Sequence, residues 1–171
     1  MESLEYLYPA NLPDLKNVLS KNFNIPKVES PYIWWYQPSS VFKTDFLSTL
    51  ESLGLVPLSA VIFFTNGLHK GTPHVDGYKN DVGIWSINWN HGSKMKMTFY
   101  ETDNTSKMLT YTLFKEKTLS TVKEYYPSEK FLIRTDIAHS VENLENKNRW
   151  AFTLRGHPKD PWGDVVELFQ K

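Results

Sequence analysis

The sequence predicts a mainly β domain, a sandwich or jelly roll with helices laid on one sheet, and three observations predict it. Between positions 58 and 156 the chain breaks into many short β-branched or aromatic runs, most of them separated by turn residues. In Trp85-Ser86-Ile87-Asn88-Trp89-Asn90 the large apolar side chains occupy every second position and polar ones the rest. A two-residue period sends the apolar set to a packed layer and the polar set into a cavity or solvent. Finally, Phe42, Phe46, Leu50 and Leu53 recur at steps of four, four and three behind Ser40 as a cap, with Gly54 just past the end. That is one apolar helix face, and such a helix should lie on a sheet.

In chain order, Asn11 before Leu12-Pro13-Asp14 marks a helix start with proline in the first turn. Tyr32-Ile33-Trp34-Trp35-Tyr36 reads as a buried strand, its rings packed rather than offered to a substrate. Strands are then expected at 60–65, 74–76, 82–90, 95–101, 109–114, 131–134, 138–143 and 150–155. His69 and Lys70, between Gly67 and Gly71, form either a lid or a plain loop. His91-Gly92 suits a hairpin turn and His157-Pro158 the exit from the barrel. Asp103-Asn104-Thr105-Ser106 is a turn, since it lacks the alternating ligands and terminal glutamate of a calcium loop. A helix from Pro161-Trp162-Gly163-Asp164 through Phe169 closes the chain. The 171 residues suit one domain, 1–171, with 1–57 as support, 58–156 as the β core and 157–171 as a tail.

Composition narrows the function. Nineteen basic residues balance nineteen acidic ones, so no global field favours nucleic acid or a membrane surface. Cysteine is absent, which excludes disulfides, thiolate metal sites, iron–sulfur clusters and a cysteine nucleophile. Met1-Glu2-Ser3-Leu4-Glu5 has no apolar signal core and no run reaches spanning length, so a cytoplasmic protein is expected. Aromatic residues at 15% point to a core built on a few large rings.

The chemistry-bearing residues cluster around a histidine–x–aspartate. In Thr72-Pro73-His74-Val75-Asp76-Gly77 the two side chains share a face of an extended strand and can reach one ion. His139, 63 residues after Asp76, offers a second imidazole from a later strand. Two imidazoles and one carboxylate leave three coordination positions open, which suits iron(II) oxygen chemistry. Arg149 lies ten residues beyond His139, on a strand expected to return antiparallel to it. A guanidinium fork holds a carboxylate bidentately. Trp150, Phe152 and Leu154 fall on one face of that strand; Arg149, Ala151, Thr153 and Arg155 fall on the other. Arg149 shares a lumen with His139 if the hairpin register is even, for example with Asn143 opposite Arg149.

Pro73-His74-Val75-Asp76, the Ser-Ile-Asn-Trp strand, Met97-Thr98-Phe99-Tyr100-Glu101, and Ala138-His139-Ser140-Val141-Glu142-Asn143 with Arg149 and Leu154-Arg155 resemble the iron(II)/2-oxoglutarate dioxygenase superfamily. The likeness is nearest to its small microbial and phage aspartyl- or prolyl-hydroxylase-like members, and spans roughly residues 58 to 156. It implies a double-stranded β-helix (jelly roll, cupin-like) with the N-terminal helices packed on one sheet. His74, Asp76 and His139 carry over as iron(II) ligands and Arg149 as the partner of the distal carboxylate of the cosubstrate 2-oxoglutarate. The reaction implied couples oxidative decarboxylation of that cosubstrate to hydroxylation by dioxygen of a protein side chain or small molecule. The family often places a hydroxyl two positions after the arginine, where this chain has Ala151; Tyr100, Ser86, Asn88 or Thr153 are the candidates to replace it. Arg155 is the rival of Arg149. The competing functions are a cupin-like metal protein without 2-oxoglutarate and a jelly-roll binding module.

Overall fold

The computed structural model describes residues 6–76, 85–101, 112–114, 119–156 and 162–170. Its elements in order are β1 (Leu7–Pro9), α1 (Leu15–Val18), β2 (Tyr32–Tyr36), α2 (Pro38–Val41), α3 (Thr44–Ser52), β3 (Pro57–Thr65), β4 (His69–Lys70) and β5 (His74–Val75). Then follow β6 (Trp85–His91), β7 (Met95–Glu101), β8 (Thr112–Leu113), β9 (Ser120–Tyr125), β10 (Lys130–Arg134), β11 (His139–Asn143), β12 (Arg149–Gly156) and α4 (Trp162–Gln170).

The strands form two antiparallel sheets, as a double-stranded β-helix requires. The major sheet runs β1-β10-β6-β12-β3-β2; the minor sheet runs β8-β5-β11-β7-β9, with β4 also on β11. Alternation decides what each face of the major sheet meets. Trp85, Ile87 and Trp89 on β6, with Phe152 and Leu154 on β12, join one apolar core with Leu15, Val18, Val41, Phe42, Leu50 and Val165 of the helical segments. Ser86, Asn88, Thr153 and Arg155 point the other way, into the space between the sheets. A smaller core of Met95, Met97, Phe99, Phe131 and Ile133 joins the two inner faces.

The first helix starts later than expected, with Asp14 at its cap and Pro13 outside. The expected helix after Ser40 is two helices. Phe42 is extended and bridges Leu19, the Lys43 N–H donates to the Val18 carbonyl, and α3 begins afresh behind Lys43. Phe42 and Leu50 are buried, but Leu53 lies past the helix end and is 44% exposed. Gly54 follows with φ +84°, the left-handed turn that closes the helix.

β2 has the expected bounds but is a half-exposed edge strand. Trp34 and Tyr36 pack on the helix side, whereas Ile33 and Trp35 face the lumen at its mouth. β11 and β12 do not form the expected hairpin. They lie in different sheets, β11 beside β7 and β5, β12 beside β3 and β6, so the 144–148 connection crosses the lumen end. The same holds for His91-Gly92, which turns between sheets. His69 and Lys70 pair with Asn143 and Glu142 as a short strand rather than a loop. Strands β1 and β9 lie outside the expected set. The turn expected at Asp103-Asn104-Thr105-Ser106, the His157-Pro158 exit, and the starts of the strands expected from 82 and 109 lie outside the described residues. No helix among the described residues is long and apolar enough to cross a membrane.

Candidate metal centre

The minor sheet brings His74, Asp76 and His139 together. His74 on β5 stands directly opposite His139 on β11 in register, and opposed residues project to the same face. Asp76, two residues beyond His74, lies just past the strand, its N–H bonded to the Thr135 carbonyl. His74 Nε2 lies 3.2 Å from Asp76 Oδ1, and His139 Nε2 lies 3.9 Å from the same oxygen. One ligand atom from each falls within 4.8 Å of the others. Ligands about 2.0–2.2 Å from a shared ion and at right angles to one another stand ~3 Å apart, so the three side chains would draw inward around an ion.

Each imidazole is oriented by a main-chain carbonyl. His74 Nδ1 lies 2.8 Å from the Thr72 oxygen and His139 Nδ1 lies 2.8 Å from the Ile137 oxygen. A carbonyl accepts only, so Nδ1 carries the proton on both rings and Nε2 is the atom left to face an ion.

The electrostatics favour a cation at this spot. Burial works against the charge of Asp76, but the Arg155 guanidinium, the hydrogen bond to His74 and the two imidazoles outweigh it and hold the carboxyl well below the usual range. Burial, helped by the neighbouring His74, pushes His139 down to about 4 against the pull of Asp76, so that ring is neutral at physiological pH. For His74 burial also opposes charge, yet the hydrogen bond and charge of Asp76 outweigh it and the pKa is raised. An ion at this spot would compete with the proton that Asp76 favours on His74.

The arginines come from the facing sheet. Arg155 on β12 reaches across the lumen and places Nη2 3.0 Å from Asp76 Oδ2, while its guanidinium carbon lies 4.6 Å from the centre of the Trp35 ring. Its Nε and Nη1 are buried with no hydrogen-bond partner among the described residues. Six residues earlier on the same strand face, Arg149 is 6% exposed. Its Nε donates to Asn90 Oδ1 and its Nη2 lies 3.4 Å from Met95 Sδ. Among the described residues it meets no carboxylate, and burial pulls its pKa down to about 10, still cationic at neutral pH.

Between these ends lies a cavity of about 980 Å³ that also meets Phe63, Thr65, Met97, Phe131 and Ile133. Arg149 thus reaches the lumen by a route different from the expected hairpin, from the opposite sheet. Arg155, weighed as its rival, is committed to the aspartate. Tyr100, offered as a hydroxyl contact, sits on the other face of β7, bonded to Ser140 Oγ at 2.8 Å. Trp35, read from sequence as packed rather than offered to a ligand, presents its ring face to the Arg155 guanidinium; Thr65 in the cavity wall was not singled out, because β3 is apolar on both faces, which hides its parity.

No protein-family model and no curated protein matches the chain. Among solved structures it is similar to a Pseudomonas putida prolyl-4-hydroxylase, with 12% identity over 90% of this chain and 78% of that one, at a TM-score of 0.44. A cupin superfamily protein from Desulfitobacterium hafniense matches at 6% identity over 81% of this chain and 94% of that one, TM-score 0.41. OsALKBH1 matches at 16% identity, 60% of this chain and 49% of that one, TM-score 0.40. The chain spans less than two thirds of several of the solved chains that it matches. What the molecule carries is a His-Asp-His cluster suited to a metal ion, set between the two sheets of a double-stranded β-helix.

Proposed function

We propose that the chain is an iron(II)- and 2-oxoglutarate-dependent oxygenase of the hydroxylase type, acting on a protein side chain or a small molecule. Arg149 carries this reading: a buried cation without an acidic partner among the described residues, in the same cavity as the His-Asp-His cluster. A buried unpaired charge is costly, and a dicarboxylate anchored at the cluster by one end would bring the missing anion with its other end. The metal end suits the same ligand, because Arg155 keeps two unpaired donors beside Asp76.

Two imidazoles and one carboxylate suit iron(II) with open positions, which with 2-oxoglutarate bound supplies dioxygen activation and the oxidising power for hydroxylation. The chain's own residues position and protect. His74, Asp76 and His139 would hold the ion, with the carbonyls of Thr72 and Ile137 fixing both rings. Arg155 keeps Asp76 anionic, so protons compete poorly for that ligand. Met97, Phe131 and Ile133 give the lumen an apolar wall that excludes water. The cavity exceeds what a five-carbon acid fills, leaving its mouth, where Ile33 and Trp35 are half exposed, for dioxygen and part of the substrate.

The test is anaerobic addition of iron(II) and 2-oxoglutarate to the folded protein, watching for the weak visible charge-transfer band of a metal–oxo-acid chelate. Admission of oxygen should then convert 2-oxoglutarate to succinate, and His139→Ala should lose the metal. Iron bound with neither band nor succinate would instead favour a cupin-like metal protein that does not use 2-oxoglutarate.

A further inference from the structure

We infer that Thr65 supplies the second contact to the distal carboxylate of 2-oxoglutarate, its hydroxyl donating a hydrogen bond beside the Arg149 guanidinium. The inference rests on the function proposed above and concerns a strand that the resemblance to the dioxygenases left without a role. Thr65 ends β3 and stands directly opposite Arg149 of β12 in the antiparallel register. Opposed residues of an antiparallel pair project to the same face, and both side chains line the cavity. Thr65 Oγ1 is buried and has no hydrogen-bond partner among the described residues. A buried hydroxyl left unsatisfied is unfavourable, and native interiors seldom retain one without a use.

The hydroxyl and amide groups of β6, β11 and β12 that line the lumen are engaged, at the metal end, or of the wrong kind. Thr153 donates its one proton to Asn88 Oδ1 at 2.6 Å, and the Asn88 amide donates to Ser86 Oγ at 2.9 Å. Ser86 stands opposite Arg155, at the metal end. Asn143 Oδ1 is also buried and unpaired, but a carbonyl oxygen only accepts and would repel a carboxylate. Ala151, at the position where a hydroxyl was expected from the resemblance, is paired with Phe63, two residues before Thr65. The donor missing from β12 is thus restored from the adjacent strand, at the level of Arg149 itself.

The discriminating experiment is calorimetric titration of the anaerobic iron(II)-loaded full chain with 2-oxoglutarate and with 2-oxopentanoate, which keeps the oxo-acid end and lacks the distal carboxylate. Thr65→Val should bind 2-oxoglutarate about tenfold more weakly, the value of one hydrogen bond to a charged group, and 2-oxopentanoate as the parent does. Thr65→Ser should restore most of the loss. Because the hydroxyl has no partner in the ligand-free protein, Thr65→Val should melt at or above the parent's temperature, an outcome that a hydroxyl with a structural role would reverse. Parent-like 2-oxoglutarate affinity in Thr65→Val overturns the inference and leaves the proposed function standing. Failure of the parent itself to bind 2-oxoglutarate overturns both.

Discussion

On β6 and β12 the face toward the helices is Trp85, Ile87, Trp89, Phe152 and Leu154, and the face toward the minor sheet is Ser86, Asn88, Thr153 and Arg155 with Arg149. Both faces are buried to nearly the same degree: Trp89 is 1% exposed, Arg155 4% and Asn88 7%. Burial alone therefore does not separate the part of the sheet that holds the fold from the part that does chemistry. Satisfaction does. The apolar face is closed by rings and aliphatic groups in contact, such as Phe42 with Trp89 at 5.5 Å between centroids. Among the described residues, the lumen face retains donors without a partner, on Arg155 and Thr65, and a cation, Arg149, that meets no anion.

The sharpest way to break this contrast is to truncate each face and compare. Phe152→Ala on the helix side should cost about 3–5 kcal/mol in denaturant unfolding, since it empties a site sealed by Trp89 and its neighbours. Metal affinity of the fraction that remains folded should be unchanged. Asp76→Ala on the lumen side should cost about 3 kcal/mol even with chelator present, because Arg155 is left buried without its carboxylate. No stability effect of Asp76→Ala in chelator would mean that the Asp76–Arg155 pair does not tie the two sheets together.

The contrast was legible in sequence where one strand alternates apolar with polar. Trp85 to Asn90 and Arg149 to Arg155 announce both faces, and the face assignments hold residue for residue. His74, Asp76 and His139 converge as their strand positions suggest. What the sequence hid was pairing between distant strands. Nothing local distinguishes a β11–β12 hairpin from a connection that changes sheets, because a five-residue link serves either. β2 looked buried because its rings are large, yet an edge strand has a neighbour on one side only, so Tyr32, Ile33 and Trp35 stay between 43% and 55% exposed. The split of α2 from α3 follows from the long-range bridge of Leu19 with Phe42, which helical periodicity cannot register.

Among the lumen groups, Arg149 should behave as a ligand partner. Arg149→Met keeps the stem and removes the cation. Cosubstrate affinity should fall by about 2 kcal/mol, roughly 30-fold, with iron affinity unchanged. Stability without ligand should change little, since removing a buried cation with no acidic partner among the described residues offsets the loss of its hydrogen bond to Asn90 Oδ1. Equal 2-oxoglutarate affinity in the variant would return the carboxylate role to Arg155.

Thr153→Val should give the smallest effect and the finest discrimination, because Thr153 is a lumen residue of the engaged kind. Its hydroxyl donates to Asn88 Oδ1, and Asn88 in turn donates to Ser86, so the three hold β12 to β6 from the inside. Valine preserves the shape and leaves Asn88 Oδ1 without that donor, a loss of about 1 kcal/mol in stability. Affinity for 2-oxoglutarate should be unaltered, unlike the roughly tenfold loss expected for Thr65→Val on the neighbouring strand. Two threonines on one cavity wall would then differ in both readouts, for one reason: one hydroxyl already has an acceptor, and the other has none among the described residues. If Thr153→Val loses cosubstrate binding while stability holds, the polar chain belongs to the ligand, and satisfaction ceases to separate structural from functional groups in this lumen.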